Sequence, residues 1–143
     1  MKRRVQALFL AVLMVFSTVF GINIGNPVEV KADGKTTVII HYQREDGNFY
    51  NWDVWAWGGS VNGAQKFAYE DDFGKICVIQ ANETIDELGF IIRRGDWEEK
   101  DFEGDQFIPV KDGFAEVWVT AGVEGFKTEA PEGASAFDLD AAG

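Results

Sequence analysis

The sequence is poor in the residues that most protein chemistry relies on: 143 residues include one cysteine, one histidine and three prolines. A lone thiol, Cys77, excludes an intrachain disulfide, so an exported domain of this size has to be held together by a core. Cys77 sits in the apolar run "KICVIQ" and reads as a buried, inert thiol. A lone imidazole, His41, leaves a Ser–His–Asp triad or a histidine metal centre almost nothing to draw on. Its place mid-strand beside Tyr42 points to a structural role. Positive charge is also scarce, with 13 Lys and Arg against 24 Asp and Glu and a net charge of −11. Such a surface repels phosphate backbones and anionic lipid, which argues against nucleic-acid and membrane-surface binding.

A long uncharged apolar run occurs once, at the very start. "VQALFLAVLMVFSTVF" follows Lys2, Arg3 and Arg4, and a basic stretch leading into an apolar one reads as an export signal. Val30 and Ala32 occupy the −3 and −1 positions of a cleavage site, so residues 1–32 are expected to be a signal peptide removed after Ala32. An uncleaved anchor is the rival, since residues 5–24 approach the ~20 that span a bilayer. Either way the folded part is expected outside the cytoplasm, secreted or held at the cell surface. The signal takes four basic residues and one acidic one, leaving nine against 23 over residues 33–143, a net charge of −14.

From Thr36 onward the apolar pattern has period two instead of 3.6. "TTVIIHYQR" (36–44), "QKFAYE" (65–70), "KICVIQA" (75–81), "LGFIIRR" (88–94), "DQFIPV" (105–110) and "FAEVWVTAG" (114–122) are short, β-branched or aromatic, and bounded by turn signals. Those signals include Asp46-Gly47, Gly58-Gly59, Asn62-Gly63, Gly95-Asp96 and Asp112-Gly113. "NETIDEL" (82–88) is the one stretch expected to form a helical turn. Seven or so strands at this spacing predict an all-β, antiparallel β-sandwich over 33–127. Residues 128–143, rich in Ala, Gly and acid, read as a flexible acidic tail or linker.

"NWDVWAW" (51–57) places three of the chain's five tryptophans in seven positions. On a strand, Trp52, Val54 and Ala56 share one face while Asp53, Trp55 and Trp57 share the other. An aspartate is rarely buried unpaired, so Trp55 and Trp57 are expected to face outward together, their Cβ atoms about 6.5–7 Å apart at ~3.3 Å rise per residue. Paired exposed indoles make an apolar patch of the kind that marks a site. Flat rings suit the C–H faces of pyranose sugars, each worth roughly 1 kcal/mol at ~25 cal/mol/Å² over about 50 Å². Trp97 follows Gly95 on a loop, with Lys100 and Asp105 close behind to donate to and accept from hydroxyl groups. A protein groove is the competing partner for the same patch. Trp118, in "AEVWVTAG", is expected in the core.

Taken together, "TTVIIHYQREDGNFYNWDVWAWG", "YEDDFGKICVI", "FIIRRGDWEEKD" and "DQFIPVKDGFAEVWVTAGVEGF" resemble the family 41 carbohydrate-binding modules, the starch-binding modules at the N-terminus of bacterial pullulanases. The resemblance runs from about Thr36 to Phe126. It implies an immunoglobulin-like antiparallel β-sandwich, a non-catalytic module that binds α-1,4-glucan (starch, glycogen, pullulan), with Trp55 and Trp57 stacking on successive glucoses, Trp97 as the loop tryptophan, and Lys100 and Asp105 hydrogen-bonding hydroxyls. Family members normally precede a large glycoside hydrolase, whereas this sequence stops soon after the module; a truncated copy of a longer enzyme is the expectation.

Other functions fit less well. Carboxylate pairs such as Glu70 and Asp71 could in principle serve a glycosidase, but in a domain this small they read as a solvated acidic turn. "YEDDFG" clusters three acids without the alternating spacing of a calcium loop. No catalytic residue, metal or cofactor is therefore expected. The remaining alternative is a secreted or cell-surface protein-interaction module that uses the exposed tryptophan patch. A monomer is expected in either case.

Overall fold

A computed structural model describes residues 34–142; the expected signal peptide lies outside the described residues. Nine strands are present: β1 (Thr36–Gln43), β2 (Trp52–Gly58), β3 (Val61–Gln65), β4 (Tyr69–Glu70), β5 (Lys75–Ala81), β6 (Glu87–Arg94), β7 (Glu99–Lys100), β8 (Gln106–Pro109) and β9 (Phe114–Thr120). They form two sheets. Sheet A has the order β4-β5-β1-β9, and sheet B has β3-β2-β6-β7 with β8 also paired to β6. The chain is thus an all-β, immunoglobulin-like sandwich.

The core lies between the sheets and follows the period-two pattern. Val38, Ile40 and Tyr42 of β1 meet Val54 and Ala56 of β2, with Phe90 and Ile92 of β6, and all of these are completely buried. Cys77 lies in the same cluster, and burial pushes its thiol up to about 12. Tyr42 stacks on Phe67 with ring centroids 5.5 Å apart. Burial also raises the Tyr42 phenol above its ordinary range, even though Arg44 donates to it at 2.8 Å.

Four local expectations need correction. β1 and β9 pair in parallel, Ile40 opposite Val117, within otherwise antiparallel sheets. Asn62-Gly63 is part of strand β3 and no turn, because Gly59-Ser60 already closes the β2–β3 hairpin; Gly63 sits opposite Ala56. "QKFAYE" is broken, β3 ending at Gln65 and β4 starting at Tyr69. "NETIDEL" forms no helical turn. Thr36 ties that loop to β1, its hydroxyl donating to the Glu83 carbonyl at 2.7 Å and accepting from the Ile85 amide at 3.3 Å, while Ile85 itself enters the core.

The outward face of sheet A is covered. His41 is fully buried there, stacked on Trp118 at 4.6 Å, with its Nε2 2.7 Å from Glu116. Glu116 also accepts the Phe137 amide at 2.8 Å, and the Phe137 ring packs on Tyr69 at 4.9 Å. The segment after Lys127, expected to be a flexible acidic tail or linker, forms the short helix α1 (Leu139–Ala142) at the end of the described residues. Trp118 is buried as expected, but on this outer face and not between the sheets.

Candidate functional site: an aromatic face on sheet B

The outward side of sheet B is built in rows by the strand register. Trp57 stands opposite Gly89, which stands opposite Phe107; Asp53 stands opposite Arg93, which stands opposite Lys100. Trp55, opposite Ile91, lies between these rows. Trp52, Val54 and Ala56 point inward, as the alternation predicts, and Trp55 and Trp57 are half-buried on the other side.

Each tryptophan is held differently. The Trp57 indole lies against Gly89, where a Cβ would collide with its ring atoms, so a bare backbone is what lets this ring settle on β6. Phe107, 46% exposed, closes one side of Trp57 edge-on, at 90° and 5.9 Å. Trp55 and Trp97 are 5.5 Å apart with planes inclined by 59°. Trp97 is 42% exposed and has φ of 67°. The left-handed region costs a bulky residue about 1–2 kcal/mol, and such local strain concentrates at functional sites.

Beneath these two rings lies Arg93. Its guanidinium carbon is 4.7 Å from the Trp55 ring centroid and 4.9 Å from that of Trp97, within the ~6 Å over which a cation is drawn to an aromatic face. Asp53 holds the guanidinium in place, accepting from Nε at 2.9 Å and from the second nitrogen at 3.4 Å. Arg93 is 8% exposed, so the pair is a largely desolvated, two-point contact that fixes direction as well as charge. Asp53 thus turns out to be the partner of a buried cation, and the inference that its face is outward holds with that cation included.

The five residues singled out from the sequence all fall on this side of the molecule. Lys100 lies in β7 beside Arg93, and its ammonium turns toward Glu103, 3.4 Å from the carbonyl and 3.8 Å from the carboxylate. Asp105 is exposed, one residue ahead of β8 and in phase with Phe107. Arg93, Gly89 and Phe107 went unnoticed in the sequence. Their importance depends on which strands are neighbours, and no local signal carries that. Elsewhere, two of the three acids of "YEDDFG" are used within the fold: Glu70 pairs with Lys75 at 2.6 Å, which lowers its carboxyl pKa, and Asp71 accepts the Phe73 and Gly74 amides at 3.0 and 3.2 Å.

The family model for the bacterial pullanase-associated domain matches residues 36–128. The chain belongs to that family. The domain is also 28% identical over 83 residues to an alpha-amylase of Streptomyces lividans, a match covering 54% of this chain and 9% of the relative. Among solved structures it is similar to family 41 carbohydrate-binding modules from streptococcal virulence factors, described for their alpha-glucan recognition, at TM-score 0.55 and 19% identity; 64% of this chain and 46% of that chain are covered. It is similar too to the multi-modular glycogen-degrading pneumococcal virulence factor SpuA, at TM-score 0.54 and 24% identity, covering 64% of this chain and 10% of that one. The chain therefore spans about a tenth of the alpha-amylase and of SpuA, and less than half of the family 41 structure.

Proposed function

We propose that the domain is a non-catalytic carbohydrate-binding module that takes α-1,4-glucan on the outward face of sheet B. The observation that carries this reading is the aromatic face itself: Trp55 and Trp97 inclined by 59° over one buried arginine, with Trp57 beside them against Gly89. α-1,4 linkages make a glucan curl, so rings set at an angle follow its curvature, whereas a flat row suits a straight chain. Trp55, Trp57 and Trp97 stack on glucose faces, and Lys100 and Asp105 hydrogen-bond hydroxyls at the edge. Membership of a pullanase-associated family and likeness to modules described for alpha-glucan recognition support the same reading.

Three stacked contacts and a few hydrogen bonds, less the cost of association, place the dissociation constant between ~1 µM and ~1 mM. A module this weak works by raising local concentration, so its role is to hold a tethered pullulanase-type glycoside hydrolase on its substrate outside the cell.

Affinity electrophoresis through native gels containing amylopectin, pullulan, dextran or hydroxyethyl cellulose tests this reading. Retardation is expected in the first two only, and Trp55→Ala and Trp97→Ala remove it. Unretarded migration of folded wild-type protein sinks the sugar reading and leaves a protein-binding patch in its place.

A further inference from the structure

An open cleft of about 880 Å³ lies at the start of β2, beside the aromatic face. Its size falls in the range of ~300–1,000 Å³ typical of small-ligand sites. None of the residues assigned to glucan above lines it, yet it is continuous with that site. Asp53 and Arg93, which hold Trp55 and Trp97 from below, form part of its wall, and so do Gly95 and Asp96, the two residues before Trp97. Tyr50 also lines it, and at 76% exposure it is the most exposed large apolar side chain among the described residues.

The loops that carry Tyr50 and Trp97 are joined. The Gly95 amide donates to the Asn51 carbonyl at 2.8 Å, and Asn51 and Trp97 both have left-handed φ, 64° and 67°. Two bent loops bonded back to back therefore raise one ring on each side of a common rim.

The charges in the cleft favour a neutral, hydroxyl-rich ligand. Arg93 is paired with Asp53, and Lys75 with Glu70 at 2.6 Å; Lys66, the remaining cation on the wall, is matched in number by Asp96, so the lining carries no net charge. Paired charges still offer donors and acceptors to hydroxyl groups.

We propose that this cleft continues the glucan groove and takes further glucose units of the same chain, with Tyr50 as an additional stacking ring. The inference rests on the α-glucan reading and extends it: the module then prefers long chains over short ones, through a contact remote from Trp57.

Calorimetric titration of the protein with maltotriose and maltoheptaose tests it, with Tyr50→Ala and Trp55→Ala alongside. Wild type is expected to bind maltoheptaose more tightly than maltotriose. One stacking ring is worth about a three- to tenfold difference, so Tyr50→Ala should weaken maltoheptaose by that factor and leave maltotriose unchanged. Lys66→Ala, also on the cleft wall, should weaken the longer sugar alone, by a smaller factor. Trp55→Ala should weaken both sugars. If maltotriose binding depends on Trp55 while Tyr50→Ala leaves maltoheptaose untouched, the extension is wrong and the groove stands. If wild type binds neither sugar, the groove and its extension fall together.

Discussion

On sheet A, the outward side chains of β1 and β9 include His41 and Trp118, both at most 5% exposed, and Phe137 of the C-terminal segment bridges from Tyr69 to Glu116 beside them. On sheet B, the outward side chains of β2 and β8 include Trp55, Trp57 and Phe107, and no described segment lies across them. Both outer faces carry aromatic rings, and only one is roofed. An outward tryptophan is therefore a site or a piece of hidden framework according to what the rest of the chain does with it. The side chain alone does not decide.

Breaking the roofed face has the largest expected effect. Trp118→Ala removes a ring stacked on His41 and should cost about 3–5 kcal/mol of stability, read as a lower urea midpoint, with the retardation of the folded fraction in amylopectin gels unchanged. A variant that kept its stability and lost retardation would erase the distinction between the two faces.

The bare face is best probed from beneath. Gly89→Ala places a methyl group against the Trp57 indole and should force the ring off β6 at about 1–3 kcal/mol. Retardation should weaken several-fold while the sandwich still melts cooperatively. A normal affinity in this variant would mean that Trp57 does not need its present seat. A smaller effect is expected from Phe137→Ala, which loosens the roof by about 1 kcal/mol. A thermal melt should register it, and a glucan gel should not.

The mildest test uses pH. Arg44 lowers the pKa of Asp46, Lys75 that of Glu70, and hydrogen bonds from Ser60 that of Glu83. A carboxyl pKa depressed by folding stabilises the protein above its unfolded value and stops doing so as pH falls through the folded one. Melting temperature should be level above about pH 5 and decline below about pH 4. All three groups are exposed, so the decline should be shallow.

The difference between the faces also shows where sequence reading stops. Alternation assigned Trp52, Val54 and Ala56 inward and Trp55 and Trp57 outward, because side-chain direction along a strand is a local property. The sequence places Trp118 in the core, but it lies on the outer face, under a roof that arrives from residues almost twenty positions away. Arg93 lies 40 positions from Asp53, and only the β2–β6 register makes them partners. Gly89 is a seat only because the register sets it opposite Trp57, and Tyr50 and Phe107 gain their meaning only from the loop and the strand beside them.

The Arg93 clamp has a further consequence, in entropy. Immobilising a side chain on binding costs about 0.5–1.5 kcal/mol. Trp55 and Trp97 share a guanidinium that is 8% exposed and tied to Asp53, and the Trp97 backbone is fixed in a left-handed turn. Both rings therefore lose much of their freedom when the sandwich folds, before any sugar arrives. A ligand that meets them has little left to order, and even a shallow, open groove can hold a flexible polymer with few contacts.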